Sequence, residues 1–162
     1  MRIHLAANHL GYELGRQLEE WLSQSGHETI WHGADFLDEG DDYPIFSARV
    51  GQAVIDDEDR GENVKGIVFG GDGSGEVIAV NKVKGARATF GHSAKQVELA
   101  RREADADVLV IGAIHHDLAT AKELIAAFLS TSFGDALEYA RRIINVAEYE
   151  TSGTIEGWLI EG

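Results

Sequence analysis

Short apolar runs alternate along this chain with longer segments whose apolar residues recur every three or four positions. The first kind reads as buried strand, the second as amphipathic helix. The runs "RIHLAAN" (2–8), "HETIWHG" (27–33), "VKGIVFGG" (64–71), "GARATFG" (85–91) and "DVLVIGA" (107–113) predict strands. Leu14, Leu18, Trp21 and Leu22 place a helix over 11–26, with Gly26 as its stop. Pro44, the only proline, opens a helix over 45–56. Further helices are expected over 75–83, 93–104, 117–133 and 134–150. The last of them carries Leu137, Ala140, Ile143, Ile144 and Ala147 at helical spacing. The acidic run "DDEDRGEN" (56–63) reads as a solvated surface linker, and the tail 151–162 shows no clear period.

Strand alternating with helix, with nearly continuous apolar strands, calls for a parallel sheet covered on both faces. The expected fold class is α/β: a three-layer α/β/α doubly wound, Rossmann-like domain with a mostly parallel sheet of about five strands. It spans residues 1–150 as a single domain that includes the last helix, followed by the tail 151–162. In such sheets ligands bind beyond the carboxyl ends of the strands. Three loops are expected to converge there: "AANHLG", "GGDGSGE" and "GAIHHD".

Charge narrows the partners. With 28 acids against 14 Lys and Arg, the formal net charge is −14. That excludes nucleic acid and anionic membrane as partners, since both need a cationic footprint. An anionic small substrate has to be held by a local cluster of donors. No apolar run approaches the ~20 residues of a membrane helix, and the N-terminus turns polar too soon for a secretory signal. There is no cysteine, hence no disulfide framework and no thiolate nucleophile. Cytoplasm is the default location. The adjacent His115 and His116 lack the spacing of a helical metal site, so no metal is expected. His4, His27 and His32, in or beside strands, read as structural.

Gly70, Gly71, Gly73 and Gly75 crowd the end of the third strand, and Glu76 follows at once. On the plain reading this is a tight strand-to-helix turn with a favourable acid in the first helical turn. It is no Walker A loop, for it lacks the Gly-Lys-Ser/Thr ending, and its spacing misses the dinucleotide fingerprint. The chemical reading is sharper. Glycines let backbone N–H groups approach a ligand and form an anion nest before a helix. A carboxylate beside such a nest suits proton abstraction next to a carbonyl, where a base takes the proton and donors hold the enediolate oxygen.

"NHLGYEL" (8–14), "DDYP" (41–44), "GGDGSGEVIAVNKVKGAR" (70–87) and "RRIINVAEYE" (141–150) together resemble ribose-5-phosphate isomerase B and its relatives among galactose-6-phosphate isomerases. The resemblance runs to about residue 150. Within the family one branch uses a loop cysteine as base and the other a glutamate; this cysteine-free chain is similar to the glutamate branch. The resemblance implies aldose–ketose isomerisation through an enediolate, no metal or other cofactor, and a homodimer, or a dimer of dimers, with sites built across the interface. It makes Glu76 the base and gives Gly71, Asp72, Gly73, Ser74 and Gly75 the nest of backbone donors. It also sets His9 and Arg142 on the substrate phosphate.

Other positions depart from the family. Asp72 stands where a serine is usual; its carboxylate is expected either to bind sugar hydroxyls or to raise the pKa of Glu76. Asn8 replaces a sugar-binding aspartate, and Glu103 a ring-opening histidine. Ile114 and Glu138 replace phosphate-binding arginines, whose charge-assisted bonds are worth about 1.5–3 kcal/mol each. His115 and His116 adjoin one lost arginine and are candidates to compensate for it. The expected function is an aldose–ketose isomerase acting on a sugar or sugar phosphate other than ribose 5-phosphate. The alternatives are a catalytically silent sugar-binding or partner subunit of the same fold and, further off, a nucleotide-binding module.

Overall fold

A computed structural model describes residues 1–155. The chain runs β1 (Arg2–Ala7), α1 (Tyr12–Gln24), β2 (Glu28–Trp31), α2 (Tyr43–Asp59), β3 (Val64–Gly70), α3 (Ser74–Val80), β4 (Ala88–Phe90), α4 (Ala94–Ala104), β5 (Val108–Gly112), α5 (Leu118–Ser130) and α6 (Leu137–Ser152). The strands form one parallel sheet in the order β2-β1-β3-β5-β4. This is the α/β architecture expected, with β5 inserted between β3 and β4.

The strand period of two feeds both faces. Ile3, Leu5, Ala7, Ile67, Phe69, Leu109 and Ile111 point into one core with Leu18 and Leu22 of α1, Val97 of α4 and Phe128 of α5. Ala6, Val64, Val68, Val108 and Val110 point into the other, against Val50 and Val54 of α2 and Val80 of α3. The helices after β1 and β3 therefore leave on opposite faces. Their loops part between these two neighbouring strands at the carboxyl edge, the switch point where ligands bind in a doubly wound sheet.

Several boundaries moved for visible reasons. Ser93 and Asp117 cap α4 and α5 by accepting from the amides of Gln96 and Thr120. An irregular link covers 131–136, anchored where the Gly134 amide donates to the Arg102 carbonyl. The last helix thus begins at 137 rather than 134. Among the described residues α6 buries none of its own, and Leu137 is 85% exposed. The rest of the tail, with Trp158, lies outside the described residues.

The acidic run 56–63 is not all surface. The helix extends to Asp59, and Asp57 is buried. Its carboxylate accepts from Arg2 (2.9 Å) and Arg60 (2.9 Å) and bonds His4 Nε2 (3.0 Å). His4 Nδ1 bonds His32 Nε2 in turn, at 2.8 Å. Hydrogen bonds from Arg2, then His4, hold Asp57 down at about 2, while burial lowers the pKa of His32. These two histidines tie β1, the end of β2 and α2 together, as structural residues do.

Candidate active site

The glycine loop closes over the carboxylate of Glu76. Glu76 sits in the first turn of α3 and is only 4% exposed. Its carboxylate lies against the Cα of Gly70, where any side chain would collide with it. Gly73 caps the helix at φ +96°, a conformation that favours glycine, and its Cα faces the ring of Phe90. Tyr43 lies on Gly75 and Leu10 on Gly71, so side chains from three other segments wall the loop.

Burial raises the pKa of Glu76; its own backbone N–H opposes this, and the nearby charge of Asp72 adds to the rise. Asp72 itself is held below the ordinary carboxylate range, first by Ser74 and then by His115. The expectation that Asp72 raises Glu76 therefore agrees in direction, with burial as the larger cause. The nest is smaller than expected. The Ser74 amide donates to Asp72 Oδ2 at 3.1 Å and is spent. The amides of Gly71, Asp72, Gly73 and Gly75 donate to no acceptor among the described residues.

The β1 loop abuts this nest, with the Asn8 amide donating to the Phe69 carbonyl at 3.3 Å. Asn8 Oδ1 accepts from the amides of Leu10 (3.1 Å) and Gly11 (3.2 Å), a turn that leaves only its Nδ2 donor for a ligand. His9 is held by Asp41, whose Oδ1 accepts from the His9 amide (2.9 Å) and pairs with Nδ1 (2.8 Å). That keeps the ring proton on Nδ1 and leaves Nε2 for a ligand. On the far side His115 Nε2 meets Asp72 Oδ1 at 3.2 Å. His116 turns away to donate to the Gly91 carbonyl at 2.7 Å, which fixes the end of β4.

Three predicted residues lie elsewhere. Glu103 of α4 and Arg142 of α6 line a groove of about 670 Å³ beside the start of β4, at the other end of that strand from Phe90. Glu138 is exposed on the first turn of α6. Within one chain they do not join Glu76. Asp41, through His9, and Tyr43, against Gly75, also line the glycine-loop region; in the sequence "DDYP" is part of the resemblance, without a role for either residue.

The family model for ribose/galactose isomerases matches residues 3–146. The chain belongs to that family. Ribose-5-phosphate isomerase B of Mycobacterium leprae (strain TN) is 41% identical over 150 residues, covering 93% of this chain and 90% of its own. The solved ribose-5-phosphate isomerase B of Clostridium thermocellum superposes with a TM-score of 0.87 at 32% identity, over 95% of this chain and 100% of that one. The Mycoplasma genitalium enzyme, solved with bound ribulose-5-phosphate, gives 0.86 at 29% identity, over 93% and 97%. This ribose/galactose isomerase is an aldose–ketose isomerase of the sugar-phosphate class. No helix among its described residues is long and apolar enough to cross a membrane.

Proposed function

We propose that this isomerase moves a proton between C1 and C2 of an open-chain sugar phosphate with the Glu76 carboxylate, through an enediolate held by the amides of Gly71, Asp72, Gly73 and Gly75. One observation carries the reading: a buried carboxylate of raised pKa packed against a loop whose four remaining amides have no acceptor among the described residues. Burial makes Glu76 the stronger base, and the amides favour the charge that develops when it acts. Asn8 Nδ2 and His9 Nε2 line the same crevice and bind the sugar and its phosphate.

Glu103, Glu138 and Arg142 reach the crevice of a second copy. The apolar side chains that α6 leaves exposed support this homodimer, and a cytoplasmic location fits the bacterial sugar-phosphate isomerases the chain resembles. The substrate is a pentose phosphate or a close homologue. Ribose 5-phosphate itself is held weakly, because Ile114 and Glu138 offer its phosphate no cation. The raised pKa of a buried Glu76 favours this enzyme over a catalytically silent subunit.

Replacing Glu76 with Gln tests the mechanism. The variant keeps the shape and loses the base, so turnover falls by about 10²–10⁴-fold with ligand binding nearly unchanged. Exchange of the C2 proton in deuterated water, followed by NMR, falls in parallel. Wild-type exchange in the Gln variant would refute the role of Glu76.

A further inference from the structure

Isomerisation moves two protons, one between carbons and one between the oxygens they bear. Glu76 accounts for the first. The second needs a group beside the nest with a free lone pair and a proton to return.

His115 stands there. It follows β5 in the turn 113–116, and its ring packs edge-on against Phe90, with centroids 6.0 Å apart at 87°. Phe90 in turn faces Gly73 of the nest. His115 Nε2 pairs with Oδ1 of Asp72, a residue of the nest itself. Its other oxygen accepts from the Ser74 amide, and hydrogen bonds from the Ser74 side chain first and from His115 next lower the pKa of Asp72. A carboxylate on Nε2 keeps the ring proton there and presents the Nδ1 lone pair, and it would stabilise the imidazolium once Nδ1 took a proton. Nδ1 has no partner among the described residues. An ion pair between exposed side chains contributes little to stability, so the use of this pair lies in its position.

We propose that His115, oriented by Asp72, carries the hydroxyl proton from O2 to O1 of the substrate; this rests on the reading of Glu76 as the carbon base. Glu76 first takes the C2 proton, the C–H electron pair forms C1=C2, and the carbonyl pair moves to O1. The C1=C2 pair then takes the proton back from Glu76 at C1. The O2–H pair forms the new carbonyl, its proton passes to His115 Nδ1, and the imidazolium gives it to O1. Both side chains end as they began, and no other reactant is needed.

The test uses the full-length enzyme with ribose 5-phosphate in deuterated water, comparing deuterium at C2 of recovered aldose with conversion to ketose. In His115→Gln, conversion falls by about 10-fold or more, mainly in kcat. C2 exchange falls less, so the exchange-to-conversion ratio rises. Asp72→Asn, which keeps an oxygen for the Ser74 amide, shifts the ratio the same way by less. An unchanged ratio in His115→Gln, whether both rates fall together or neither does, overturns the proposal. Failure of the carbon base shows separately, as C2 exchange that survives in Glu76→Gln.

Discussion

The carboxylate of Glu76 lies directly against the Cα of Gly70, so the proposed base and the end of the strand that carries its loop occupy one another's space. A side chain at 70 would push the carboxylate out toward water. The same contact keeps Glu76 buried and its pKa raised, first by burial and secondarily by Asp72. On the proposed mechanism Glu76 works ionised, so turnover should fade as pH falls through a value above the ordinary glutamate range. Asp72→Asn removes one of the charges that raise it. The acid limb of kcat/KM should then move to lower pH, whatever happens to its height; a limb that stays in place would show that Asp72 does not act on Glu76.

Asp107, at the foot of β5, is fully buried and pushed by burial up to about 7, against the charge of Arg87. The folded chain therefore holds a proton there over a range in which the unfolded chain, near 3.8, has lost it. More protons on the native state means stability that declines as pH rises through this window. In Asp107→Asn the side chain stays neutral and still accepts the Arg87 amide, now bonded at 2.8 Å. Denaturant unfolding at several pH values should show a flatter profile for the variant between about pH 4 and 7.

Assembly is testable on α6. Ile144 is 64% exposed in the single chain, and the proposed dimer covers it. Ile144→Glu should give monomers by light scattering at micromolar concentration and lose most activity, since Arg142 would no longer meet a second crevice. A monomeric variant with full activity would exclude sites shared between chains.

Phosphate affinity is the remaining question. Ile114, 69% exposed, sits in the turn whose amide donates to the Gly71 carbonyl at 3.1 Å. Ile114→Arg together with Glu138→Arg replaces an apolar group and a repulsive acid by two cations. KM for ribose 5-phosphate should fall by tenfold or more, each charge-assisted bond being worth about 1.5–3 kcal/mol. Equal KM values would mean that these positions do not face the phosphate.

The strands were legible because apolar runs such as "DVLVIG" are buried on both faces and have few other fates. The nest and its acid were legible because glycines at that density ahead of a helix have few purposes. Strand order was not, since nothing local in "DVLVIG" says that β5 pairs with β3 before β4 does. Asp57 was lost in an acidic run because the partners that bury it, Arg2 and His4, lie more than 50 residues away in sequence. Ser74 looked like a fifth donor, but in the folded loop its amide is given to Asp72. "DDYP" stood out in the sequence, but the pairing of Asp41 did not, because it depends on His9, 32 residues earlier.

A helix such as α6, which buries none of its own residues, has consequences for inheritance as well as for shape. On the proposed assembly, a chain damaged at Arg142 keeps a sound crevice and spoils its neighbour's, while a chain damaged at Glu76 does the reverse. A cell expressing both faulty alleles would build, in each mixed pair, one crevice with neither defect. Two null alleles of one gene would complement each other.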